Sequence, residues 1–169
     1  LRRTDVHQMA EALSAVADHV GPVYGVIAHS LGAAAAVQLL ADGRHAAARL
    51  VLIAPGGELA ADIRRLAQAL DLPPRCVAAL VAALERHYDM PVEMCSISRL
   101  ARMLNVAALV VHDVDDKVIP FAEGAQVARS LPGARFHATE RLGHRRILRD
   151  AAVIGSVVEF CRARRARTA

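Results

Sequence analysis

Ser30, the carboxylates Asp113, Asp115 and Asp116, and His144 are the residues of this 169-residue chain that could together activate a hydroxyl. Ser30 stands within 23–36, where a β-branched run closes on Ala28, His-Ser-Leu-Gly follows, and an alanine block begins. That order predicts a strand, a very tight turn and a helix, with Ala28 and Gly32 small enough to let the backbone reverse without side-chain collisions. Such a turn lifts the Ser30 hydroxyl above the strand end and points the first N–H groups of the helix toward it. An anion developing there would meet the N–H of Leu31 and the positive end of the helix dipole. A neutral hydroxyl is a poor nucleophile without a base. His144, with Gly143 before it to free the backbone, is the candidate base, and a carboxylate must hold its other ring nitrogen. The strand at 109–116 ends in three such acids. The plainer reading of Ser30 is a serine that caps a helix.

The strand, the turn carrying Ser30 between small residues and the helix resemble the nucleophile elbow of the α/β-hydrolase superfamily, with Ala28 in the place of the usual first glycine. Ser, then Asp, then His is also the chain order of that superfamily's triad. Its acid commonly stands before two residues and then Val-Pro or Ile-Pro. Asp116-Lys117-Val118-Ile119-Pro120 matches, so the resemblance selects Asp116 and leaves Asp113 and Asp115 as turn-forming or solvated carboxylates. It implies a serine hydrolase of a carboxylic ester or thioester that works through an acyl-enzyme. Ser30 would be the nucleophile, His144 the base and then acid, Asp116 the orienting acid and the Leu31 N–H an oxyanion donor. The substrate would be a small acyl compound, with no cofactor. Acyl transfer or peptide cleavage on the same triad, and a non-catalytic interaction protein on a hydrolase scaffold, are the alternatives. Serine rather than aspartate at the elbow argues against a dehalogenase or epoxide hydrolase. Complete members carry further strands upstream, and a loop after one of them usually supplies a second oxyanion donor. The chain thus looks like the C-terminal part of a hydrolase, with half the oxyanion hole. Its elbow strand would be an apolar edge that pairs with a second copy or with upstream strands.

The elements that must position these residues follow an α/β alternation. Asp5 caps a first helix with apolar residues from Val6 to Val20 at helical spacing, stopped by Gly21-Pro22. After the elbow comes a helix over about 32–41, then a wholly apolar strand at 50–54; two such strands joined by a helix form a βαβ unit with a parallel sheet. Between this strand and the next (106–111) lie helical stripes at Ile63, Leu66, Ala67 and Leu70 and at Val77, Leu80, Val81 and Leu84, with a short helix after Ser96 or Ser98. This insertion, about 56–105, looks like the superfamily's helical cap, its apolar side walling an acyl pocket; crossover helices on the sheet are the alternative. A helix from Pro120 or Phe121 to Ser130, an edge strand at 134–138 and an Asp150-capped helix with Val153, Ile154, Val157, Val158 and Phe160 on its core side complete a four-stranded sheet with helices on both faces. One domain, 1–169, holds them all.

Composition narrows the class. Hydrophobic residues make up 54%, aromatics 3% with no Trp, which disfavours a base-stacking surface for single-stranded nucleic acid. The net charge of +4 gathers in Arg162, Arg164, Arg165 and Arg167, read as a solvated helix end rather than a nucleic-acid site. Cys76, Cys95 and Cys161 are odd in number and widely spaced, as reduced, buried thiols of a cytoplasmic protein would be. No apolar stretch is long enough to span a membrane. His29 and His112 read as packing or loop-bonding residues, and His7, His19, His45, His87 and His137 lack metal-ligand spacing, so no metal is assigned.

Overall fold

The computed structural model describes residues 5–163; of the basic cluster, Arg164, Arg165 and Arg167 lie outside them. Its centre is a parallel sheet of β1 (Gly25–His29), β2 (Arg49–Ile53), β3 (Ala107–Asp113) and β4 (Arg135–Thr139), in that spatial order. β2 is buried throughout and β3 nearly so, as expected of continuous apolar runs covered on both faces. Along β2 the side chains alternate. Leu50 and Leu52 enter a core shared with α2 (Leu31–Ala41), α5 (Ile97–Ala101) and α6 (Phe121–Ser130), against which Val6 of α1 (Val6–Val20) also packs. Val51 and Ile53 face a second core closed by Val153, Val157 and Phe160 of α8 (Ala151–Arg162). Ala33 to Ala36 are all buried, since only methyl groups fit where α2 lies between its neighbours.

Caps predicted from sequence form. Asp5 accepts from the Gln8 N–H, and Asp150 from the Ala152 and Val153 N–H groups. At the far end of α8, the buried Arg49 donates from Nε to the Phe160 carbonyl and from Nη2 to that of Ala163, placing a cation on the helix's negative end. The predicted core side of α8 was too wide: Ile154 and Val158 are exposed.

The segment between β2 and β3 divides. α5 returns to the sheet layer, with Ile97 and Ala101 in the core and Leu104 just after them. α3 (Leu59–Ala69) and α4 (Pro74–Tyr88) stand off the sheet, and both touch a 3₁₀ turn at Val92–Met94 that follows α4. Their stripes are only partly covered: Ile63 is buried, whereas Leu66 and Leu70 are exposed and α4 buries no residue. Cys76 is exposed and not buried as expected.

Candidate active site

Strand order sets the geometry. β1 delivers Ser30, β3 delivers the acid loop, and β4 leads to the loop ending in α7 (Gly143–Arg146). Because all strands are parallel, these three C-terminal ends open on one rim of the sheet.

Ser30 occupies the cap position of α2, yet its side chain makes no capping bond. Its backbone lies at φ 56°, ψ −129°, a left-handed conformation for a residue with a Cβ. Main-chain bonds hold it there: the Ser30 N–H donates to Ile53 at 3.1 Å, while its carbonyl accepts from Ala33 at 3.0 Å and Gly56 at 3.3 Å. The hydroxyl is thereby turned away from the helix and lies 2.9 Å from His144 Nε2. Gly32 differs from expectation, since a Cβ there would meet nothing within 4 Å among the described residues. Leu31 opens α2, so its N–H belongs to the helix's first, internally unpaired donors.

His144 is held on its other side by Asp116, Nδ1 to Oδ2 at 2.8 Å. A carboxylate accepts only, so Nδ1 carries the proton and Nε2 is left to accept from the Ser30 hydroxyl. The second Asp116 oxygen accepts from the N–H groups of Val118 at 2.8 Å and Ile119 at 2.9 Å. Burial by itself would raise the Asp116 carboxyl; the bonds from His144, Ile119 and Val118 outweigh it and hold the group below the ordinary carboxylate range. The structure therefore brings Ser30, His144 and Asp116 into one hydrogen-bonded line, with the Leu31 N–H beside it.

Three neighbours support that line. Asp113, read as turn-forming or solvated, is fully buried and accepts four hydrogen bonds, from Asp115, Thr139, Leu142 and Gly143. His112 is also fully buried. Its Nε2 donates to the Ile119 carbonyl at 3.0 Å and lies 3.4 Å from Asp116 Oδ2, and burial keeps the ring's pKa below its usual value. His29 donates from Nε2 to the carbonyl of His144 at 2.9 Å and packs its ring against the His144 ring at 4.7 Å. The loop contacts expected of His29 and His112 signalled these roles; for Asp113 no local signal existed.

A cavity of about 550 Å³ runs beside α2, bounded by Val6, Leu31, Ala34, Leu59, Met94 and Leu100 among others. Ser30, Asp116 and His144 are not among its lining residues, and it reaches the elbow through Leu31. Its wall on the insertion side comes from Leu59, Asp62 and the 87–96 stretch, not from the Val77–Leu84 stripe. Among the described residues, no group of three or more His, Cys, Asp and Glu side chains could hold a metal ion. No helix there is long and apolar enough to cross a membrane.

Comparison with known proteins agrees with this geometry. The structure matches a hydrolase from Pseudomonas aeruginosa PA01 with a TM-score of 0.69 at 17% identity, over 96% of this chain and 74% of that one. It matches an esterase, EaEST, from Exiguobacterium antarcticum with a TM-score of 0.68 at 14% identity, over 94% and 74%. A third match is Rv0554 from Mycobacterium tuberculosis, with a TM-score of 0.64 at 21% identity, over 95% and 73%. These likenesses establish the α/β-hydrolase fold. No curated protein matches the sequence. The serine hydrolase family profile matches residues 2–151. By that match and by its fold, the chain belongs to the serine hydrolase family of α/β hydrolases.

Proposed function

We propose that the protein hydrolyses a carboxylic ester or thioester through an acyl-enzyme formed on Ser30. The observation that carries this reading is the unbroken path from Ser30 Oγ to His144 Nε2 (2.9 Å) and from His144 Nδ1 to Asp116 Oδ2 (2.8 Å), with the serine hydroxyl released from helix capping. As Ser30 Oγ attacks the carbonyl carbon, its proton passes to His144 Nε2 and the carbonyl π pair moves to oxygen. The Leu31 N–H and the start of α2 stabilise that oxyanion. Asp116, kept ionised, stabilises the imidazolium but takes no proton. Collapse of the tetrahedral adduct expels the alcohol or thiol, which leaves with the proton from His144. Water then repeats the cycle on the acyl-enzyme and releases the acid.

The aliphatic part of the cavity's lining beside Leu31, with Ala34, Leu59, Ile97 and Leu100, suits the acyl group of a small-molecule substrate, and the polar part, with Asp5, His7, Gln8 and Gln38, suits a polar remainder. On this reading α3 and α4, within the 56–105 insertion, cover that substrate as a cap. The three thiols, free in the structure, fit a reducing, cytoplasmic setting. The edge of β1, unpaired among the described residues and with Ile27 58% exposed, is expected to pair with a second copy or with upstream strands. A stable sample that sediments only as monomer would count against that pairing.

The decisive experiment is intact mass after exposure to a fluorophosphonate, which esterifies activated serines. One adduct is expected on the wild type and none on Ser30→Ala or His144→Ala. A wild type that is folded but unlabelled would exclude an assembled nucleophile. Product analysis with added alcohol separates hydrolysis from acyl transfer.

A further inference from the structure

The acid and the base of the candidate triad stand on different loops, one after β3 and one after β4, and nothing in the Asp116–His144 bond itself sets the distance between those loops. The buried carboxylate of Asp113 does. Asp113 is the last residue of β3 and pairs in register with Thr139, the last residue of β4. Its Oδ1 accepts from Asp115 N–H at 3.0 Å on the acid loop and from Gly143 N–H at 2.9 Å on the base loop. Its Oδ2 accepts from Thr139 Oγ1–H at 2.7 Å and Leu142 N–H at 3.1 Å. Its main-chain carbonyl accepts from the N–H of Asp116 itself at 3.2 Å.

The base loop needs such a tie. Arg141 and Gly143, which flank Leu142 just before His144, both take positive φ, at 63° each. For Arg141 that conformation is unfavourable and persists only where the surroundings fix it. Asp115 Oδ2 accepts the Arg141 N–H at 2.9 Å, so a second acid of the same run assists. On the far side, His29 fixes the carbonyl of His144.

We propose that Asp113 is a positioning residue for the reaction: its fully buried carboxylate locks the acid loop and the His144 loop in register, so that Nδ1 of His144 meets Asp116. The inference rests on the Ser30–His144–Asp116 reading for its catalytic consequence, though its structural content can be tested without turnover. Both oxygens of Asp113 receive two donors. An asparagine keeps the shape but offers one accepting atom; even with its NH₂ toward Thr139, whose hydroxyl can turn to accept, it faces the Leu142 N–H, which cannot.

Asp113→Asn and the milder Thr139→Val, which removes one of the four bonds, are to be compared with wild type and Ser30→Ala. The readouts are hydrolysis of p-nitrophenyl esters, corrected for the folded fraction by circular dichroism, and the far-downfield proton NMR signal of His144 Nδ1–H. A displacement of about 1 Å in a catalytic group costs on the order of 100-fold, so Asp113→Asn should lower kcat by about that factor with KM little changed. Thr139→Val should lose about tenfold and remain folded. The downfield signal should be present in wild type and Ser30→Ala, weakened in Thr139→Val and absent in Asp113→Asn. A folded Asp113→Asn or Thr139→Val with unchanged kcat and an unchanged downfield signal overturns the proposal, as does a kcat loss fully accounted for by unfolded protein. If wild type hydrolyses no ester yet shows the signal, and Asp113→Asn abolishes it, the positioning role stands and the hydrolase reading fails.

Discussion

Gly124 is the position where a conservative change should do most harm away from the reacting atoms. It lies in α6 and its backbone is not at positive φ, so alanine is compatible with the helix and by propensity alone should stabilise it by about 0.5–1 kcal/mol. The surroundings reverse that sign. A Cβ on Gly124 would sit 2.0 Å from Nδ1 and 2.6 Å from Cγ of His112. Ordinary contact starts near 3.4 Å, so the ring must retreat by about 1.4 Å, 3.4 minus 2.0, or the helix must move away. His112 has no exposed surface into which to swing, and its Nε2 is committed to the Ile119 carbonyl at 3.0 Å. Overpacking costs about 1–3 kcal/mol and a buried hydrogen bond left unmade about 1–3 more. Net of the helix gain, Gly124→Ala should destabilise by about 3 kcal/mol. Because Ile119 also donates to Asp116, labelling of Ser30 by a fluorophosphonate should slow as well. Urea unfolding followed by circular dichroism measures the first effect, and the rate of adduct formation the second. The pair Gly124→Ala and His112→Ala should be coupled, the double variant losing less than the sum, since the small side chain vacates the space the new methyl needs. A Gly124→Ala protein as stable as wild type, or a strictly additive double variant, would refute the reasoning.

Other perturbations test the site more directly. Asp116→Asn keeps an acceptor for Val118 and Ile119 but turns an NH₂ toward His144 Nδ1; the ring must then carry its proton on Nε2, facing Ser30, and kcat should fall by about 10⁴. His29→Phe retains a ring against His144 and deletes the donor to its carbonyl, so a loss of about tenfold in kcat at unchanged KM is expected from steady-state kinetics. Stability should fall as pH drops below about 6.5, because burial lowers the pKa of His112 and His29 in the folded protein while their unfolded counterparts take up protons there. Below about 3.8 a steeper loss follows, as unfolded carboxylates protonate while Asp113 and Asp116 stay ionised in the fold. Urea midpoints between pH 7 and 5 should decline less in His112→Asn than in wild type; equal slopes would assign that limb to other groups.

What could be read from the chain depended on how far apart the interacting residues lie. The elements followed from local period and capping: Asp5 and Asp150 cap the helices that their positions predicted, and of Ser96 and Ser98, between which the sequence left the short helix's start open, Ser96 is the cap. Asp116 stood out through the residues just after it, whose N–H groups it does bind. Asp113 did not, because three of its donors come from 139–143, on another strand and loop. The same distance hid the need for glycine at 124, which is set by a histidine on β3. Apolar periodicity told that α3 and α4 are helices but not which side would find a partner, so Leu66 and Leu70 could be read as covered when they are exposed.

β2 carries no reacting group, yet the site depends on where it ends. It lies between β1, which presents the serine, and β3, which presents the acid, so the two must be joined across it. The Ile53 carbonyl takes the Ser30 N–H, the Ala54 N–H donates to Val111 on β3 at 2.8 Å, and the Gly56 N–H returns to the Ser30 carbonyl. The strained conformation of Ser30 costs about 1–3 kcal/mol, and these bonds from a fully buried strand are what can hold it. Gly57 then brings the chain so near α2 that a Cβ would lie 2.7 Å from that of Ala34, which draws the loop down beside the start of the helix. Ser30 is thus held from the middle of the sheet, and His144, which bonds to it, from the edge. Asp113, at the end of the strand between them, is where those two supports meet.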